Sequence, residues 1–61
     1  MFELVAVNRL NAREQTSLRR FNEHREAVEE AERRRKSEPL KVFYVFLHLS
    51  SFCRIVTYHT L

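Results

Sequence analysis

Hydrophobic and polar positions divide this chain into three unequal stretches. The central one, residues 11–36, is polar, and its few apolar residues recur at helical spacing. At 100° per residue Leu18, Phe21 and Val28 fall within one narrow arc, with Leu10 on the same line and Ala31 at its edge. Asn11-Ala12-Arg13-Glu14 has the form of a capping box, in which the Asn11 side chain accepts from an orphan backbone N–H and Glu14 reaches back to the cap. Glu29 with Arg33, Glu30 with Arg34 and Glu32 with Lys36 stand four apart in the stabilising orientation, and the cations Arg33 to Lys36 suit a helix C-terminus. Pro39 disfavours helical geometry at Glu38, so the pattern predicts one helix over residues 11–36, roughly 39 Å long at about 1.5 Å per residue. Its apolar stripe is interrupted by charges and can seal one contact only.

The last stretch, residues 40–61, has no helical period, because apolar residues surround the axis. It is rich in β-branched and aromatic types, with Ser50-Ser51 as its one turn candidate. This predicts two strands, about residues 41–49 and 52–60, paired as a hairpin. In the first, Phe43, Val45, Leu47 and Leu49 face one way and Val42, Tyr44 and Phe46 the other, so both sides are apolar and both need cover. In the second, Cys53, Ile55 and Leu61 alternate with Arg54, Val56 and Tyr58. Residues 2–7 read as a third strand or as an early extension of the helix. The expected fold is α+β: one long charged helix packed on a small sheet with a C-terminal β-hairpin. The alternative is a mainly α chain whose apolar C-terminal segment is a helix or a membrane anchor. Residues 42–53 are uncharged but shorter than the roughly 20 residues that cross a bilayer, and extending the span to Leu61 places Arg54 near its middle. A third reading is a tail with no selected structure.

Composition narrows function by exclusion. A chain of 61 residues is expected to form one small domain, marginal alone and inclined to self-associate. It has no Gly, Asp or Trp, which excludes glycine-rich phosphate loops, calcium loops built on Asp and Gly, and nucleophile elbows. The single cysteine, Cys53, offers no internal disulfide and is expected as a small buried hydrophobe in a reducing compartment. The spacing His48-x4-Cys53-x5-His59 matches no familiar zinc pattern, and a Cys53–His59 nucleophile pair lacks an orienting group. No catalytic, metal or cofactor-binding residue is assigned, and the chain reads as non-enzymatic. The start MFELVAVNRL makes a poor secretory signal, so a cytoplasmic location is expected, with membrane anchoring as runner-up.

The cations are nearly all Arg, which gives planar, bidentate donors for phosphate or carboxylate. On a helix over residues 11–36, Arg13, Arg20 and Arg34 would share a face that could lie along phosphates. Glu23, Glu26, Glu29 and Glu30 would gather on the adjacent face, as on a solvated helix laced with ion pairs. The expected function is a small protein-interaction or regulatory module acting as a homodimer or partner subunit. Its interface would comprise Val42, Tyr44 and Phe46 with Leu18, Phe21 and Val28. The alternatives are a nucleic-acid-binding protein using the Arg13, Arg20 and Arg34 face, and a small tail-anchored membrane protein.

Overall fold

The computed structural model describes residues 1–60. Four strands and one helix follow one another as β1 (Phe2–Asn8), β2 (Gln15–Phe21), α1 (His24–Ser37), β3 (Lys41–His48) and β4 (Arg54–His59). The strands form one antiparallel sheet in the order β2-β1-β3-β4, an α+β architecture with the helix on one face. β2 and β3 both pair antiparallel to β1 and so run parallel to each other. The connection between them must return to the starting end of the sheet, a task that usually falls to a helix. Among the described residues no helix is long and apolar enough to cross a membrane, and residues 42–48 lie in β3.

The helix is shorter than the sequence pattern predicts: it spans 14 residues, His24–Ser37, rather than residues 11–36. The Asn11 side chain does accept a backbone hydrogen bond, but from the Arg13 N–H at 3.1 Å, two residues on, as in an Asx turn. Asn8 does the same for the Leu10 N–H at 2.8 Å, and the Asn8 amide donates to the Glu14 carboxylate at 2.8 Å. Two successive turns, closed by Asn11 N–H to Asn8 O and Glu14 N–H to Asn11 O, thus join β1 to β2. Asn side chains serve helix caps and turns with the same chemistry, and here β1 supplies ladder partners for residues 15–21, so pairing overrides local helix propensity. The helix stop is where Pro39 puts it. Glu38 caps the C-terminus through its N–H to Arg34 O, and a turn with Pro39 at its second position closes by Lys41 N–H to Glu38 O.

The core lies between the helix and one face of the sheet. Leu4, Ala27, Ala31, Phe43 and Val45 are all fully buried, at 0 % exposure, with Ala6 and Phe21 beside them. Ala27 and Ala31 stand four apart on one helix face, and their small side chains let the helix backbone approach the sheet closely. Leu18 and Phe21, expected on the helix, belong to β2, where Phe21 is a core residue and Leu18 packs against the core edge. Val28 stays on the helix, half-buried. Leu10, expected on the same stripe, is exposed in the β1–β2 turn.

Both edge strands carry an irregularity. In β2 the register jumps from Leu4↔Arg19 to Val5↔Ser17, leaving Leu18 as an extra residue; in β4 it jumps from Val45↔Tyr58 to Phe46↔Val56, leaving Thr57 extra. A bulge turns the side chains beyond it to the other face. Val56 and Tyr58, expected on one side of a regular strand, therefore face opposite ways. Tyr58 sits on the helix side, its hydroxyl donating to the Glu32 carboxylate, while Val56 pairs with Phe46 on the other. Leu61, expected beside Cys53 and Ile55, lies outside the described residues.

Candidate interaction surface

The second face of the sheet has no helix over it. β3, a central strand, contributes Val42, Tyr44, Phe46 and His48 to this face, the residues that alternate with the buried Phe43 and Val45. β1 places Glu3, Val5 and Val7 opposite Phe46, Tyr44 and Val42. The edge strands complete the face with Gln15, Ser17 and Arg20 on one side and Arg54, Val56 and His59 on the other. The Tyr44 and Phe46 rings are near-parallel with centroids 6.2 Å apart, and the His59 ring lies 5.7 Å from that of Tyr44. Val5 is buried among these side chains, but Tyr44 and Phe46 are only half-buried and Val56 is exposed. A shallow depression of about 190 Å³ between Val7, Ala12, Gln15, Tyr44, Phe46 and Val56 marks the apolar middle of the surface.

At one end of the face stands a charged cluster centred on Glu3, which is 6 % exposed. His48 Nε2 lies 2.7 Å and Arg54 Nη1 3.1 Å from its Oε1. The Ser17 hydroxyl first, then His48 and Arg54, hold the Glu3 carboxyl below the ordinary carboxylate range, against the upward push of burial. The Arg54 guanidinium also lies 4.1 Å from the centroid of the Phe46 ring, a cation–π contact that fixes the ring at the edge of the cluster. Arg20 pairs directly across from Glu3, and its guanidinium donates to the Met1 sulfur.

The charge pattern divides between the layers. The helix and its caps, residues 23–38, hold six of the eight carboxylates against five cations, while strands and turns hold the other six cations against Glu3 and Glu14, so the net +3 comes from the sheet and its turns. On the helix two carboxylates are tied up by several donors each. Glu30 receives Arg33 and Arg34, and Glu32 receives Arg35 and the Tyr58 hydroxyl. The Arg33 bond first, then that of Arg34, lowers the Glu30 carboxyl; the Tyr58 bond first, then that of Arg35, lowers that of Glu32. The Glu32 bond in turn raises the Tyr58 phenol.

The expected site residues separate into two groups. Val42, Tyr44 and Phe46 come together on the helix-free face, but Leu18, Phe21 and Val28 do not join them, since all three lie at or near the core on the helix side or on the helix itself. The face expected of Arg13, Arg20 and Arg34 does not exist. Arg13 is in the β1–β2 turn, Arg20 is on β2, and Arg34 is on the helix, 2.7 Å from Glu30. Cys53 is exposed in the β3–β4 turn, not buried, and among the described residues no group of three or more His, Cys, Asp and Glu side chains could hold a metal ion. The Glu3, Ser17, His48 and Arg54 cluster was missed because its members come from four strands; the one signal was an acidic residue in an otherwise apolar N-terminal run. No known protein family, curated protein or solved structure matches this chain.

Proposed function

We propose that the chain is a small non-enzymatic interaction module whose working surface is the helix-free face of the sheet. The observation that carries this reading is the placement of Tyr44 and Phe46 on a central strand, side by side, where no segment of the described chain covers them. Aromatic residues cost little conformational entropy to order and gain much on burial, so a half-buried pair at the middle of an uncovered surface suits binding better than folding. The chain's single helix is committed to the other face, and a partner is the remaining source of cover. The test compares stability with association. Tyr44→Ser with Phe46→Ser should leave the far-ultraviolet circular dichroism and a cooperative melt intact while abolishing whatever association the wild type shows in sedimentation velocity. Unfolding of this double variant would mean that the rings serve the fold, and the reading would fail.

A further inference from the structure

Resting on that reading, we infer that the occupant of the helix-free face is a single-stranded nucleic acid, its bases on the aromatic pair and its phosphates on the arginines at the rim. The first argument is the placement of the rings. The Tyr44 and Phe46 ring centroids lie 6.2 Å apart with planes inclined by 27°, and both rings are only half-buried, so part of each stays open to a planar ligand. Stacking on such rings needs bases that are not already paired and stacked within a duplex, which a single strand offers. Arg54 against Phe46 extends the platform, because a guanidinium plane stacks bases as an aromatic ring does.

Charge complementarity is the second argument. Among the described residues Glu3 is the only carboxylate on this face, and His48 and Arg54 hold it, so it presents little free negative charge. Arg54 uses one nitrogen for Glu3 and is 42 % exposed, which leaves the rest of its fork for phosphate. Arg20 on the opposite edge strand forms no ion pair among the described residues. The helix layer, by contrast, holds six of the eight carboxylates against five cations, so it attracts a polyanion less than the open face does. A second copy of the chain fits this surface less well, because face-to-face packing would bring two cationic rims together. The bulges in β2 and β4 likewise make continuation of the sheet by edge pairing unfavourable.

The experiment is fluorescence anisotropy of the intact protein with labelled mixed-sequence single-stranded RNA and DNA and with a duplex of equal length, over a range of salt. Single strands should bind more tightly than the duplex, with affinity falling as salt rises. Arg20→Gln, a change at an exposed position, should flatten the salt slope by about one unit for one lost phosphate contact. Tyr44→Ser and Phe46→Ser should each weaken binding about tenfold at fixed salt and leave that slope unchanged. Equal affinity for duplex, or binding indifferent to both ring variants, overturns the inference. So does an absence of binding at low salt. In that last case, sedimentation showing wild-type self-association that the double ring variant loses would keep the working surface and assign it to a second copy; a wild type without association of either kind would remove both.

Discussion

The two faces of β3 are built from the same residue classes and meet different fates. Phe43 and Val45 point to the helix and are sealed by two alanines; Tyr44 and Phe46, one residue along in each case, point away from it and stay half-buried. In sequence these positions are interchangeable, an unbroken apolar run in which either set could be the core. The difference arises from topology: one helix can cover one face, and the crossover from β2 to β3 carries it to the Phe43 side. Hydrophobicity therefore identifies a strand that wants burial on both sides, whereas the number of layers decides which side gets it.

The contrast can be broken most directly by paired truncation. Phe43→Ala removes a fully buried ring from a close-packed core and should cost about 3–5 kcal/mol in urea denaturation, enough to unfold most of a domain this small, while Phe46→Ala should cost about 1 kcal/mol. Similar losses at the two positions would show that the faces are equally structural. Overpacking probes the covered side in the opposite sense. Ala31→Leu pushes extra volume under the helix and should destabilise by roughly 2 kcal/mol, because Ala31 has no free surface into which to expand.

The open face has its own signature in pH. Glu3 is lowered in the folded protein, so its stabilisation is complete above the carboxylate pKa of the unfolded chain and is lost as pH falls through the lower folded value. Glu3→Gln should reduce stability at neutral pH by about 1–2 kcal/mol and flatten the acid limb of the stability curve, read from urea midpoints across the acidic range. A variant with an unchanged acid limb would show that the cluster contributes nothing to folding. The smallest effect belongs to Tyr58. Raised by Glu32, its phenol should ionise later than an ordinary tyrosine on alkaline titration followed by near-ultraviolet absorbance, and Tyr58→Phe should remove that late phase. The stabilisation it confers is full below the ordinary phenol pKa and disappears as pH rises through the raised one.

Two of the four strands, β3 and β4, were readable from residue types, whereas β2 reads as helix and β1 is left open between strand and helix. The density of Val, Phe and Tyr in residues 41–49, with Ser50-Ser51 behind them, placed strands there, and Pro39 placed the helix end. The helix start was not readable, since Asn11 to Glu14 satisfies a capping box and an Asx turn equally, and only β1, far earlier in the chain, decides for the turn. Hidden for a related reason were Ala27 and Ala31, because alanine carries too weak an apolar signal to mark a packing face, although here it is the face that docks. The bulges at Leu18 and Thr57 invert alternation without any glycine to announce them. The interaction surface was half legible, in Val42, Tyr44 and Phe46; its charged end depends on register between strands distant in sequence, which periodicity does not encode.

Glu3 also has a place in the order in which this chain is assembled. It sits near the beginning of the first strand, yet two of its partners, His48 and Arg54, lie 45 and 51 residues further along the chain. β1 occupies the interior of the sheet and has only β2 for company until β3 emerges, and a lone hairpin is marginal in water. Local pairing near Asn8 and Asn11 can form early, but core closure waits for β3 and the Glu3 clamp for β4. A chain stalled after Leu40 should accordingly be cleaved readily by protease within residues 1–40, and a chain that includes β3 and β4 should not. Protection of the stalled chain would show that the first hairpin and helix are already self-sufficient.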